Sequence, residues 1–268
     1  PVNPTVGREA AFDPMPPAHP MKLAIRGSSL SALTAAWVAA RRGHRVTLYE
    51  PSAVLGGLQG LRARVPGQGE IAETVTALLR RAEEAGVTLV REEPGAGDDD
   101  MLWVVRRFVP VGAGLSGDRV VPSSYDVLAS ADGIAPGSRA VVIGDDLASG
   151  DAALILAARG VAVELRSPAH DIAMDAHPGY RELIRRNLER LGAAVVTGVP
   201  AESTPESADG IFVVSGRDPR LTSDDDAAWE MPRLPCATRG WLDDAYEPGR
   251  MTRTVYDAVA YAMRLDGS

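Results

Sequence analysis

The sequence predicts an α/β protein of two Rossmann-like lobes, each with a parallel sheet. Three observations carry that prediction. Residues Leu23–Glu50 and Ala140–Ser167 align without a gap, so that Gly27 pairs with Gly144, Gly43 with Gly160 and Leu48 with Leu165, an offset of 117 residues. Each copy runs from a short apolar stretch through Gly and small polar residues into an Ala/Leu-rich stretch, then Arg-Gly, then a second apolar run. That order is strand, turn, helix, strand, the βαβ unit of a Rossmann-like lobe. After each copy comes an amphipathic stretch and another apolar run, which extends each unit in the same sense.

Taken in chain order, the segment before Met21 is Pro-rich and without period, and reads as an extended arm. Ala32, Ala35 and Ala36 in the first copy, and Ala152 and Ala153 in the second, are the small residues a helix needs where it packs closely on a sheet. Amphipathic helices are expected over Ile71–Ala85 and Tyr180–Leu191, each closed by a glycine (Gly86, Gly192) suited to a left-handed C-terminal position. Strands are expected at Val87–Val90 and Ala193–Thr197, and further buried strands at Leu102–Val105 and Ile211–Val214. The runs Asp98–Asp100 and Asp224–Asp226 lack the spacing of a calcium loop and read as solvated loops.

Composition narrows the function. The 268 residues are 45% hydrophobic, 24% charged and 5% aromatic, which is globular. A net charge of −8 argues against a general grip on nucleic acid. One cysteine, Cys236, excludes an internal disulfide and a four-cysteine zinc or iron–sulfur site; it reads as a small buried residue. Four histidines (His19, His44, His170, His177) are too scattered to suggest a metal cluster. No apolar run has the length of a membrane span and no signal peptide opens the sequence, so a cytoplasmic protein is expected. The first residue is Pro1, which suggests a trimmed Met or a piece of something larger.

The two strand-to-helix turns hold the candidate site. A turn of G-x-G-x-x-G/A type binds a dinucleotide because its first Gly makes the tight turn, the second admits the pyrophosphate and the third lets helix pack on strand. An acidic residue at the tip of the next strand takes the ribose hydroxyls. The first turn runs Gly27-Ser28-Ser29-Leu30-Ser31-Ala32: the first position is intact, Ala32 is allowed at the third, and Ser29 replaces the second Gly. Glu50 ends the following strand. This turn is expected to hold an adenine dinucleotide or an adenosine phosphate, or else to be a lobe kept for its shape. The second turn runs Gly144-Asp145-Asp146-Leu147-Ala148-Ser149, with Ser167 beside Arg166 at the ribose-reading tip. A carboxylate about 4 Å from a pyrophosphate charge costs on the order of 4 kcal/mol at an effective dielectric near 20. The second lobe is therefore expected not to bind NAD(P)H.

Five segments resemble the C-terminal half of the trimethylamine dehydrogenase and 2,4-dienoyl-CoA reductase group of the old yellow enzyme class. They are Val2–Glu9, similar to N-P-x-x-G-R-E; Val46–Pro51 with Leu55-Gly56-Gly57, similar to the strand tip and Gly-Gly turn; and Ser123–Leu128, similar to the link into an inserted lobe. Val213–Pro219 resembles the A-T-G-x-x-P return strand, and Asp243–Pro248 with the helix through Val255–Ala258 resembles the terminal G-D segment. The sequence departs from the pattern at Val105-Arg106-Arg107 in place of the first A-T-G, at Asp243 in place of the terminal Gly, and at Ser29 and Asp146.

The resemblance implies an arm over residues 1–20, an FAD-type lobe over 21–130 plus 236–268, and an inserted NAD-type lobe over 131–235. It implies that FAD, or only ADP, is held by Gly27, Ser29, Ala32, Glu50, Gly56, Gly57, Gly216 and Asp244. It also implies a partner: a flavin oxidoreductase subunit with an FMN barrel and a 4Fe–4S cluster, neither of which this sequence contains. No side chain reads as an acid, base or nucleophile. Two functions follow, an FAD- or ADP-binding electron-transfer subunit of a flavoprotein oxidoreductase, or a non-catalytic subunit that stabilises the catalytic partner.

Overall fold

A computed structural model describes residues 13–95, 101–106, 122–200, 211–214, 238–243, 255, 258–260 and 262–265. The elements are β1 (Lys22–Arg26), α1 (Leu30–Arg42), β2 (Arg45–Tyr49), α2 (Gly57–Arg62), α3 (Gly69–Glu84), β3 (Thr88–Val90), β4 (Met101–Arg106) and α4 (Ser124–Ser130). A 3₁₀ turn at Ala131–Gly133 follows. Then come β5 (Arg139–Ile143), α5 (Leu147–Ala158), β6 (Ala162–Ser167), α6 (Pro178–Arg190), β7 (Ala194–Thr197), β8 (Ile211–Val214) and β9 (Thr238–Asp243).

The described strands pair in parallel, in two sheets. One has the order β3-β2-β1-β4-β9 and the other β7-β6-β5-β8. The repeat is visible in the registers: Ile25 lies opposite Leu48 on β2, and Val142 lies opposite Leu165 on β6. In both sheets the first strand of the unit is central, which is the Rossmann-like order. The central strands β1 and β5 are buried over most of their length, in keeping with their apolar runs, whereas β2 and β6 bury alternate residues, Val46 and Leu48 in one and Val163 and Leu165 in the other.

The chain divides into two compact units. The first takes the described residues up to Gly60, from Glu70 to 106, and from 238 onward. Its core joins Leu23, Ile25 and Leu48 on the sheet to Leu33, Ala36 and Ala39 of α1, Val75 and Leu78 of α3, and Ala258 and Ala262. α1 begins at Ser29, whose hydroxyl accepts from the Ala32 amide at 3.3 Å. It ends at Gly43, at φ +104, with Arg41 and Arg42 in its last turn facing the negative end of the helix dipole. Ala32, Ala35 and Ala36 are fully buried, as their small size predicted.

The second unit takes Leu61–Gly69 and the described residues from 122 to 214. Its core centres on α5, buried from Leu147 to Ala157 with no polar face, against α6, which buries Ile184 and Leu188 and packs the partly buried Tyr180 against the core. Two segments that the sequence places in the first lobe, Leu61–Gly69 and 122–130, pack within this unit. Arg62 forms an ion pair with Asp151 of α5 at 2.7 Å, and Arg64 donates to the carbonyls of Leu128 and Ala129 and pairs with Asp132. Helix α4, opened by a reciprocal capping box of Ser123 and Asp126, rests on α5. Gly86 and Gly192 adopt positive φ after α3 and α6, as expected.

Candidate functional site

The first turn is built around one hydroxyl. Gly27 turns the chain at φ +103, and its amide donates to the Tyr49 carbonyl at 2.8 Å, which ties the end of β1 to β2. Ser28 then donates to Glu50 twice: its amide reaches Oε2 at 3.0 Å and its hydroxyl the same oxygen at 2.8 Å. The same hydroxyl accepts from the Gly56 amide at 3.1 Å. Glu50 Oε1 accepts from the Ser52 amide at 3.0 Å. Ser28 thus clips together the turn, the acidic strand tip and the Gly-Gly turn, and Glu50 is 1% exposed.

Ser29 replaces the glycine that would admit a pyrophosphate, and the structure shows what accommodates its side chain. Gly57, at φ +57, lies so close that a Cβ there would meet Ser29 Cβ at 3.1 Å and Cα at 3.2 Å. Gly56, at φ +96, has no room either: a Cβ would strike the Val75 methyls at 2.7 and 2.8 Å. The Gly-Gly pair is required by the local packing, whatever it binds. Gly27, Ser29, Ala32, Glu50, Gly56 and Gly57 are thus brought to one place. Gly216 and Asp244 lie outside the described residues, as do Val2–Glu9, Arg107, Cys236 and the two Asp runs.

The second turn is tied to its sheet in the same way, the Gly144 amide donating to the Arg166 carbonyl at 3.0 Å, but its chemistry differs. Asp146 caps α5: its Oδ1 accepts from the Ser149 amide at 2.9 Å, and the Ser149 hydroxyl donates back to the Asp146 carbonyl. Asp175 reaches in from the loop after β6 and accepts from the Leu147 amide at 2.6 Å. Ser167, at the ribose-reading tip, donates to the Asp171 carbonyl at 2.6 Å and accepts from the Ala169 amide. Neither Asp175 nor Ser28 was singled out from sequence. Asp175 lies 28 residues from the amide it holds, a distance no local motif reports. Ser28 sits inside the motif at a position the glycine pattern leaves open.

Beneath the second turn lies a buried polar cluster. Asp151 is fully buried, bonded by Arg62 and by Gln68 Nε2 at 3.3 Å. Burial pushes its carboxyl above the usual range, against the pull of Arg62 and Gln68. The Tyr180 hydroxyl is pushed up to about 12 by burial and by Asp151, against the pull of Arg62. The network joins the ion pair of Arg62 and Asp151 to the partly buried Tyr180. His177 caps α6 through Nδ1, accepting from the Gly179 amide at 3.2 Å, and His170 is exposed. Among the described residues no His, Cys, Asp and Glu group is arranged to hold a metal ion. No helix among them is long and apolar enough to cross a membrane.

The comparisons agree with this architecture. Residues 25–83 match the family described as NAD(P)-binding Rossmann-like domain. The chain is 31% identical over 208 residues to an NADH oxidase of Thermoanaerobacter brockii, covering 74% of this chain and 32% of that protein. The chain therefore spans about a third of the length of that relative. Among solved structures it resembles a 2-naphthoyl-CoA reductase complex, with a TM-score of 0.81 at 23% identity over 99% of this chain and 43% of that one. It also resembles a Lactococcus lactis thioredoxin reductase, with a TM-score of 0.60 at 19% identity over 90% and 96% of the two chains. The fold is the parallel-sheet Rossmann-like fold that these proteins share, and the relatives that carry it are oxidoreductases.

Proposed function

We propose that the chain is the nucleotide-binding part of a flavoprotein oxidoreductase, with its first lobe holding FAD or ADP. The observation that supports this reading is the asymmetry of the two turns. At the first, the helix is capped by the neutral Ser29 hydroxyl and the ribose-type acid Glu50 is held at the turn by Ser28. At the second, two carboxylates occupy the helix start. A helix N-terminus capped by hydroxyls remains compatible with a phosphate; one capped by carboxylates repels it.

In the first lobe, Gly27 and the start of α1 would face the pyrophosphate, Glu50 the ribose, and the Gly56-Gly57 turn the phosphate edge, joined on this reading by Gly216 and Asp244. FAD would supply the redox chemistry itself. This chain's residues would hold and orient it, and electrons would pass to or from an FMN/4Fe–4S barrel on a partner. The relatives with additional length are in keeping with such a partner.

The other function open from the sequence is a non-catalytic subunit, and one observation favours it: three of the roughly four acceptor positions of the Glu50 carboxylate are already used by Ser28 and Ser52. Chromatography of the nucleotide released when the purified, gel-filtered protein is denatured separates the two. A yellow protein that releases FAD, or a colourless one that releases ADP, supports the proposal. A folded, colourless protein that releases nothing and takes up neither nucleotide supports the non-catalytic subunit.

A further inference from the structure

We infer that the second lobe is closed by its own acidic loop, with the Asp146 and Asp175 carboxylates holding the amides that a dinucleotide pyrophosphate would need. This stands apart from the reading of the first lobe, because it rests only on residues of the second unit.

The phosphate seat of a βαβ unit is the set of amides at the start of the helix. In α5, the Leu147 amide donates to Asp175 and the Ser149 amide to Asp146, so two donors of the first turn are satisfied by anions the chain itself supplies. The loop that delivers Asp175 is held firmly. Its Met174 amide donates to the Asp145 carbonyl within the turn itself. Ile172 and Ala173 are fully buried, and Ala173 lies against the space above Gly150, 3.9 Å from where a Cβ there would stand. Ala173 has φ +46, the one positive φ of a non-glycine among the described residues. A strained backbone persists only where its surroundings fix it, so the loop is drawn over the turn by design of the packing.

The loop's other end is pinned as well. Asp171 pairs with Arg185 and, at 3.5 Å, with Arg181 of α6, while its carbonyl takes the Ser167 hydroxyl. The ribose-reading position is therefore committed to the same loop as the phosphate seat. A pyridine nucleotide would have to displace Asp175, break the Ser167 contacts and sit beside Asp146. The NAD-type fold is present and its guest does not fit. On the function proposed above, a flavin in the first lobe would then exchange electrons with a partner protein or that partner's substrate, not with a nicotinamide held in this lobe.

The test is hydrogen–deuterium exchange of the full chain with ADP-ribose, which carries the pyrophosphate shared by NADH and NADPH. Wild type should show no ligand-dependent protection of residues 144–158. The Asp146→Gly/Asp175→Ala variant should gain it, with apparent affinity stronger by on the order of tenfold or more. Asp175→Asn, which keeps the loop's bulk and removes the charge, should gain part of that effect and serves if the double variant does not fold. Saturable protection of 144–158 in wild type overturns the inference. So does a folded double variant, or a folded Asp175→Asn, without any gain. Protection at 27–42 in the same experiment reports on the first lobe separately, so failure of one reading leaves the other legible.

Discussion

Ser28 and Ser29 show how two adjacent hydroxyls shape the first turn differently. Ser28 is a clip: its side chain joins Glu50 and Gly56, all three buried. Ser28→Ala leaves the Gly56 amide and one Glu50 acceptor without that partner. It should lower unfolding stability by about 1–3 kcal/mol in urea titration, the cost of an unsatisfied buried group. Ser29 is a spacer that Gly57 must clear. Gly57→Ala should destabilise by roughly 1–3 kcal/mol, since it adds an overpacked methyl to a left-handed backbone. Part of that loss should be recovered in the Ser29→Gly background, where the Cβ contact at 3.1 Å is gone. A double-mutant cycle with no coupling would show that Gly57 is constrained by its backbone alone. Ser29→Arg should abolish any nucleotide retained on gel filtration, because the guanidinium fills the seat; unchanged retention would place the nucleotide elsewhere.

At the scale of elements, the second unit adds a buried ion pair to its apolar core. Arg62 and Asp151 are both buried, so Asp151→Ala strands a guanidinium and should cost about 3–5 kcal/mol, whereas an apolar replacement of both partners should cost much less. The loop after β6 carries a pH signature. The Ile172 amide, Arg185 and Arg181 hold Asp171 below the ordinary carboxylate value of 3.8, against the effect of its partial burial. A carboxyl depressed in the folded state contributes stability that is complete above its unfolded value and is lost as pH falls through the folded one. Asp171→Asn should therefore lower the urea midpoint at neutral pH and flatten the acid limb of the stability profile. An unchanged acid limb would show that Asp171 does not titrate with folding.

Elements were legible in the sequence where their signal was local. α3 and α6 are amphipathic, and their closing glycines mark their ends to within a residue or two. α2 was not legible: Gly57–Arg62 is one turn and a half, rich in Gly, and its helical state depends on Gly60 packing where a Cβ would fall 1.9 Å from the Leu55 carbonyl oxygen. β9 lies opposite β4 far along the chain, and long-range pairing of that kind leaves no periodic trace. Within the site, the glycines and Glu50 were legible because their spacing is fixed by the βαβ unit. Asp175 was not, because its role depends on where a distant loop returns.

Over the whole molecule, a duplicated βαβ unit has diverged at its two helix starts. The order β3-β2-β1-β4 in one sheet matches β7-β6-β5-β8 in the other, with β9 added to the first, so the difference between the two turns is chemical. One turn is lined by serines and braced by an acid; the other is filled by acids. The account's central claim is that the first of these retains an adenine nucleotide. The most direct measurement is mass spectrometry of the protein under native conditions, followed by identification of whatever small molecule is released on unfolding. The account predicts one FAD or one ADP per chain in wild type and none in Ser29→Arg. A folded wild-type chain that carries no adenine nucleotide, and acquires none from added FAD or ADP, would contradict it.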